Sequence, residues 1–464
     1  MRVLCAFPEA MPSSNSRPPA CLAPGALYLA LLLHLSLSSQ AGDRRPLPVD
    51  RAAGLKEKTL ILLDVSTKNP VRTVNENFLS LQLDPSIIHD GWLDFLSSKR
   101  LVTLARGLSP AFLRFGGKRT DFLQFQNLRN PAKSRGGPGP DYYLKNYEDE
   151  PNNYRTMHGR AVNGSQLGKD YIQLKSLLQP IRIYSRASLY GPNIGRPRKN
   201  VIALLDGCYI DGRVVKVMDF LKTRLLDTLS DQIRKIQKVV NTYTPGKKIW
   251  LEGVVTTSAG GTNNLSDSYA AGFLWLNTLG MLANQGIDVV IRHSFFDHGY
   301  NHLVDQNFNP LPDYWLSLLY KRLIGPKVLA VHVAGLQRKP RPGRVIRDKL
   351  RIYAHCTNHH NHNYVRGSIT LFIINLHRSR KKIKLAGTLR DKLVHQYLLQ
   401  PYGQEGLKSK SVQLNGQPLV MVDDGTLPEL KPRPLRAGRT LVIPPVTMGF
   451  FVVKNVNALA CRYR

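Results

Sequence analysis

The segment Lys58–Val65, KTLILLDV, is a continuous apolar run ending in an acid, the pattern of a β-strand buried on both faces. Ala111–Phe115, AFLRF, followed by Gly116 and Gly117, reads as a second such strand. Between them Leu93, Leu96, Leu101 and Leu104 recur at helical spacing across 87–106, which predicts a crossover helix and a parallel β-α-β unit. Further along, helices are expected over 167–178, 214–240, 266–283 and 314–323. The helix at 214–240 carries Met218, Leu221, Leu225, Leu229, Ile233, Ile236 and Val240 on one face. Strands are expected over 181–190, 201–205, 248–251 and 287–292. That is at most six strands where a (β/α)8 barrel needs eight, and the shortfall lies near 127–150 and 205–208. From Lys327 onward the period changes. Short alternating or apolar runs over 328–333, 349–354, 368–375, 394–399, 412–414, 440–443 and 449–453 predict an antiparallel β-sandwich. The expected fold is α/β: an incomplete (β/α)8 TIM barrel over 59–326, preceded by a linker over 42–58 and followed by a C-terminal antiparallel β-sandwich over 327–464.

The 464 residues hold 65 Lys+Arg against 32 Asp+Glu, a net charge of +33. With 42% hydrophobic residues the chain is no disordered basic arm, and its charge calls for an anionic partner. Arg2 and Arg17 precede the apolar run Ala26–Leu37, which is too short to cross a bilayer about 30 Å thick. Ser39-Gln40-Ala41 then supplies the small residues of a signal-peptidase site, so residues 1–41 read as a cleaved signal peptide, with an uncleaved signal anchor as the alternative. Losing Arg2, Arg17 and Glu9 with it leaves +32 on a secreted protein, for which nucleic acid is not the natural partner and no stable membrane insertion is expected. Asn163 and Asn264 head N-glycosylation acceptor patterns. Cys208, Cys356 and Cys461 remain after cleavage, an odd count that in an oxidising compartment implies one bridge. Cys356 and Cys461 share the C-terminal region and are the expected pair, leaving Cys208 free.

Residues 101–111 (LVTLARGLSPA), 113–117 (LRFGG), 150–152 (EPN), 311–319 (LPDYWLSLL) and 409–416 (SKSVQLNG) closely resemble the heparanases of glycoside-hydrolase family 79. The match covers nearly all of the chain beyond residue 58. It implies a (β/α)8 barrel with a β-sandwich, an extracellular setting and heparan sulfate as the glycan. Retaining hydrolysis takes two carboxyl groups about 5 to 5.5 Å apart. The resemblance matches the family's acid/base, the Glu of Asn-Glu-Pro, to Glu150, although Asp149 replaces the Asn. The family's nucleophile motif is Trp-Leu-Gly-Glu, whereas this chain reads Trp250-Leu251-Glu252-Gly253, so Gly253 stands at the nucleophile position. Side chains alternate along a strand, and a shift of one turns Glu252 away from the cleft unless a bulge intervenes. Asn301, not Tyr, precedes the run His302-Leu303-Val304-Asp305, with Tyr300 displaced. No heparanase activity is expected.

Binding needs no such pair. Arg grips sulfate bidentately and Lys supplies a point charge. Three basic clusters are candidates for glycan binding. Arg196, Arg198 and Lys199 match in position a basic segment that binds heparin in the family. Arg338, Lys339, Arg341 and Arg344 open a run of seven basic residues that reaches Arg351. Arg378, Arg380, Lys381, Lys382 and Lys384 have a basic-basic-apolar-basic spacing. The group His355, His359, His360 and His362 fits no zinc spacing, and Asp423-Asp424-Gly425 reads as a turn, so no metal and no cofactor are expected. The expectation is a secreted heparan sulfate- and heparin-binding protein of the extracellular matrix or cell-surface proteoglycans. It would restrain an active heparanase by competing for its substrate. The alternatives are an active endo-β-glucuronidase and a generic polyanion binder. Missing barrel strands would open sheet edges and favour retention in the endoplasmic reticulum.

Overall fold

The computed structural model describes residues 60–84, 97–115, 176, 214–257, 260–296, 299–334 and 349–462. The first strands are β1 (Leu60–Val65), β2 (Arg72–Thr73) and β3 (Leu79–Leu83), and β3 opens a parallel sheet. Helix α1 (Lys99–Gly107) connects β3 to β4 (Leu113–Phe115), which pairs in parallel with β3 in the register Gln82↔Arg114. The α1 helix starts where the Ser98 hydroxyl accepts a hydrogen bond from the Leu101 amide, buries Leu101 and Leu104, and stops just before Pro110. Then come α2 (Thr223–Tyr243), β5 (Trp250–Val254), α3 (Ala271–Gln285), β6 (Val289–Arg292) and α4 (Pro312–Leu323). The parallel sheet has the order β4-β3-β6-β5. Every residue of β3 and β6 is buried, as befits strands covered on both faces.

The rest of the chain is antiparallel. Its strands are β7 (Ile324–Leu329), β8 (Val331–Ala334), β9 (Leu350–Thr357), β10 (Ile369–Asn375), β11 (Lys381–Leu385), β12 (Val394–Pro401), β13 (Val412–Leu414), β14 (Gln417–Pro418), β15 (Arg433–Leu435), β16 (Leu441–Ile443) and β17 (Thr447–Val453). One sheet runs β14-β13-β12-β17-β10-β9-β7-β2, with β15 on β12; the other runs β16-β11-β1-β8. The two share a buried cluster in which Ile61 and Leu63 meet Leu371, Ile373, Ile383, Leu441 and Phe451. The expected Cys356–Cys461 bridge is formed, tying β9 to the turn after β17.

Helix α3 joins the two halves. All but its last two residues are buried, the signature of a helix enclosed on every side. Against it lie Met448 and the Tyr353 ring of the larger antiparallel sheet, and a Cβ at Gly280 would stand 2.6 Å from that ring. Glycine is what lets strand and helix approach this closely. Nearby, Arg351 of β9 is ion-paired with Asp227 of α2, and Tyr353 Oη donates to Asn277 Oδ1 at 2.9 Å.

Three expectations are corrected. The strand at 58–65 does not start the parallel sheet: β1 is antiparallel to β8, and its burial alternates, with Leu60 and Leu62 48% and 43% exposed. Its apolar composition hid a half-buried strand, so the parallel series does not begin at residue 59. The strand that precedes the crossover helix is β3, LSLQL, whose Ser80 and Gln82 look solvent-facing but are buried. Ser80 Oγ donates to Asn77 O at 2.6 Å and accepts from the Phe112 amide at 3.0 Å. Finally, the helix expected from Val214 begins only at Thr223, after a 3-10 turn over Val217–Leu221. There Asp219 accepts from the Lys216 amide and pairs with Lys222, a local closure that competes with the helix ladder. The strands expected at 181–190 and 201–205 lie outside the described residues.

Candidate functional site

Laid flat, four strands about 4.8 Å apart would hold β4 and β5 about 14 Å from each other. Instead the rings of Phe112 and Trp250 lie 4.9 Å apart, centroid to centroid, and Arg114 Nε is 2.8 Å from Glu252 Oε2. The parallel sheet is therefore curled into an arc whose two edges meet through side chains on its concave face. Gln82 and Arg114 are register partners and share that face.

Glu252 reaches it by alternation from Trp250, and a β-bulge follows at once. Leu251 lies opposite Val290, and Val254 opposite Arg292, so Glu252 and Gly253 together face one residue of β6. Gly253 has a φ of +67°, the left-handed conformation that glycine adopts freely. A Cβ there would lie 3.9 Å from Gln82 Oε1, so position 253 also looks into the arc. The bulge that the sequence reading allowed for is therefore present, and positions 252 and 253 both look into the arc. The Glu252 carboxylate is engaged by the Arg114 guanidinium, which holds it toward β4.

Behind the arc lies a buried polar wall. Arg292 is fully buried, 2.9 Å from Asp313 Oδ2, with its guanidinium 4.8 Å from the centre of the Trp275 ring. Burial pushes the Asp313 carboxyl up to about 6 while Arg292 pulls it back down. Asp267, which adds to the upward push, is paired with Lys410 at 2.7 Å. Asn301 is a clamp: its Oδ1 accepts from Thr256 Oγ1 at 2.9 Å, its Nδ2 donates to Thr257 O at 2.9 Å, and its carbonyl accepts from Arg292. It stitches the segment after β6 to the segment after β5, while Tyr300 beside it is exposed.

On the antiparallel side, Arg378 and Arg380 occupy the turn between β10 and β11, and Lys381, Lys382 and Lys384 lie on β11 itself. Asn375 Nδ2 donates to Ser379 O at 3.1 Å and its Oδ1 accepts from the His377 amide, which fixes the turn. Ile383 and Leu385 point into the core, so Lys382 and Lys384 face outward beside Val442. The Lys384 ammonium is bonded to Gly438 O. One of the three expected clusters is thus a basic hairpin with a buried apolar underside.

Of the other site residues, Glu150, Asn163, Arg196, Arg198, Lys199, Arg338, Lys339, Arg341, Arg344 and Cys208 lie outside the described residues. Asn264 is exposed, with Ser266 of its acceptor pattern buried. Among the histidines, His355 is buried against Phe372, bonds Gly325 O through Nδ1, and is depressed by burial to about 4. His359 and His360 instead meet Glu76, a neighbour from the other end of the chain that no local spacing reveals.

No protein-family profile matches the chain. It is 78% identical to human "Inactive heparanase-2" over an alignment of 592 positions covering all of both chains. The 464 residues here leave 128 of those positions without a counterpart. It is 36% identical to mouse "Heparanase", across 86% of this chain and 94% of that one. Among solved structures, a 4-O-α-L-rhamnosyl-β-D-glucuronidase from Fusarium oxysporum superposes with a TM-score of 0.55 at 11% identity, covering 84% of this chain and 100% of the other, a likeness of fold.

Proposed function

The chain belongs to the heparanase family, on the side of its inactive heparanase-2 members, and from that premise we propose that it is a secreted binder of heparan sulfate. It lacks heparanase activity. Its parallel arc is what remains of a (β/α)8 barrel, and its two antiparallel sheets form the accompanying β-sandwich. Bound to proteoglycan chains in the matrix or at the cell surface, it restrains an active heparanase by occupying the same glycan.

One observation carries this reading: two features that hydrolysis couples are separated in this chain. Gly253 stands at the nucleophile position with the neighbouring carboxylate Glu252 paired to Arg114, while the β10–β11 hairpin presents Arg378 and Arg380 on its turn and Lys382 on β11. Sulfate recognition needs only the second.

The test is elution from immobilised heparin across a salt gradient, compared with DNA at matched salt. The full chain is expected to elute from heparin at higher salt than from DNA, and the Arg378→Ala/Arg380→Ala/Lys382→Ala variant to elute earlier from heparin. Equal retention on both matrices would make the protein a generic polyanion binder and sink the proposal. Measurable cleavage of heparan sulfate would sink the non-hydrolytic half.

A further inference from the structure

Two β-turns hang from the junction of α4 and β7. In the first, the Phe78 amide donates to Asn75 O at 2.9 Å, which puts Glu76 at the tip; the neighbouring Val74 amide donates to Pro326 O at 3.0 Å. In the second, the Asn361 amide donates to Asn358 O at 3.1 Å, which makes His359 and His360 the two central residues. This turn is pinned by the Asn358 amide on Leu323 O at 3.1 Å, by Asn358 Nδ2 on Lys321 O at 2.7 Å and by Asn361 Nδ2 on Arg322 O at 3.0 Å. The two tips face each other at the rim of a small cavity, where the Lys321 ammonium is directed at Pro110 O. One ligand atom from each of Glu76, His359 and His360 lies within 4.8 Å of the others; Glu76 Oε1 is 3.9 Å from His359 Nε2, and the two imidazole centroids are 3.9 Å apart.

We propose that Glu76, His359 and His360 form a divalent-metal site of the zinc class. Two imidazoles and one carboxylate are a donor set zinc takes with a further position left for water, at bond lengths of about 2.0 to 2.2 Å. Such bonds place ligand atoms about 3.3 Å apart, so the present separations close by rotating side chains while the backbones stay where their hydrogen bonds hold them. Imidazole also suits copper and nickel, whereas calcium and magnesium prefer all-oxygen sets. The ion would bridge segments nearly three hundred residues apart in sequence, clamping the turn after β2 to the turn after β9.

The experiment is calorimetric titration of the untagged full chain with zinc chloride, alongside Glu76→Ala, His359→Ala, His360→Ala and the control His362→Ala. One ion per chain is expected, with affinity at least tenfold weaker in each of the first three variants and unchanged in the control. Zinc should raise the thermal midpoint of the wild type but not of the three variants, whose midpoints in EDTA should equal the wild-type value because these side chains reach solvent. Cobalt substitution gives a second readout, weak visible bands of a nitrogen and oxygen donor set. No stoichiometric uptake at millimolar zinc, binding unchanged in the His359→Ala and His360→Ala variants, or a thiolate charge-transfer band placing the metal at Cys208 would each overturn the site.

Discussion

The Arg114–Glu252 pair should couple the two edges of the parallel arc measurably. Charges 2.8 Å apart attract by roughly 6 kcal/mol at an effective dielectric constant near 20. Both side chains remain about a quarter exposed, at 24% and 27%, so water screens the pair and both ions keep part of their hydration. Fully exposed pairs contribute about 0.2 to 1 kcal/mol, and breaking a buried one costs about 3 to 5 kcal/mol. A value of about 1 to 2 kcal/mol is therefore expected for the coupling. The assay is urea unfolding of the wild type, Arg114→Ala, Glu252→Ala and the double variant. The coupling is the part of the double-variant effect that the single effects do not sum to. This cycle cancels the packing lost with the Arg stem, which would otherwise inflate the single effect. A coupling below about 0.5 kcal/mol would mean that the pair is as weak as an ordinary surface contact. The claim that Arg114 occupies the displaced carboxylate would then fall.

Gly280→Ala should cost about 1 to 3 kcal/mol in urea unfolding, since the added methyl would press on the Tyr353 ring; Gly246→Ala, at an exposed turn with a φ of +79° and nothing within 4 Å of the added Cβ, gives the scale for backbone strain alone. Replacing both Cys356 and Cys461 with Ser should lower stability by about 4 kcal/mol, from the entropy of the 105-residue loop they close, read as a lower midpoint that reducing agent does not lower further. Burial holds the His355 imidazole at about 4 against 6.5 when unfolded. The unfolded chain alone takes up that proton, so the stability tied to neutral His355 is complete above pH 6.5 and lost as pH falls toward 4. Asp313, raised from 3.8 to about 6, acts oppositely: its contribution is complete below pH 4 and lost as pH rises through 6. His355→Gln, which keeps a donor for Gly325 O, removes the first trend only. Relative to wild type the variant should gain stability as pH falls from 6.5 to 4, and a pH-independent difference would show that His355 titrates normally in the fold.

Much of the architecture was legible where burial and composition agree. β6, α4, β10 and β17 are apolar in sequence and buried in the fold, and their positions follow from period alone. Misreadings occurred where the two diverge. β1 is apolar on both faces but buried on one, because its outer leucines stay exposed beside the basic hairpin. β3 is polar at Ser80 and Gln82 and yet enclosed, because its hydrogen bonds are supplied by segments remote in sequence. β11 reads as a charge cluster, KKIKL, although the alternation of Ile383 and Leu385 makes it a strand. The site was half legible. The Glu-Gly order at 252–253 could be seen, but the bulge depends on β6 and the ion pair on β4, neither of which local sequence encodes.

The same two residues explain how the four-stranded parallel sheet avoids the hazard that open strands create. Among the described residues β4 and β5 are the edges of the parallel sheet, and an exposed, flat, apolar edge invites pairing with another chain. Protein edges are protected by bulges that break the hydrogen-bonding row and by charges pointing inward, which any added strand would have to bury. This arc has both: the bulge at Glu252 and Gly253 on β5, and the Arg114–Glu252 pair spanning from β4. Restoring the hydrolase order through Glu252→Gly with Gly253→Glu would place a side chain at a φ of +67°, at a cost of about 1 to 2 kcal/mol, and take from Arg114 its present partner. Light scattering of that double variant should show association at concentrations where the wild type stays monodisperse. If it remains equally monodisperse, the edges are guarded by something other than the bulge and its charge pair.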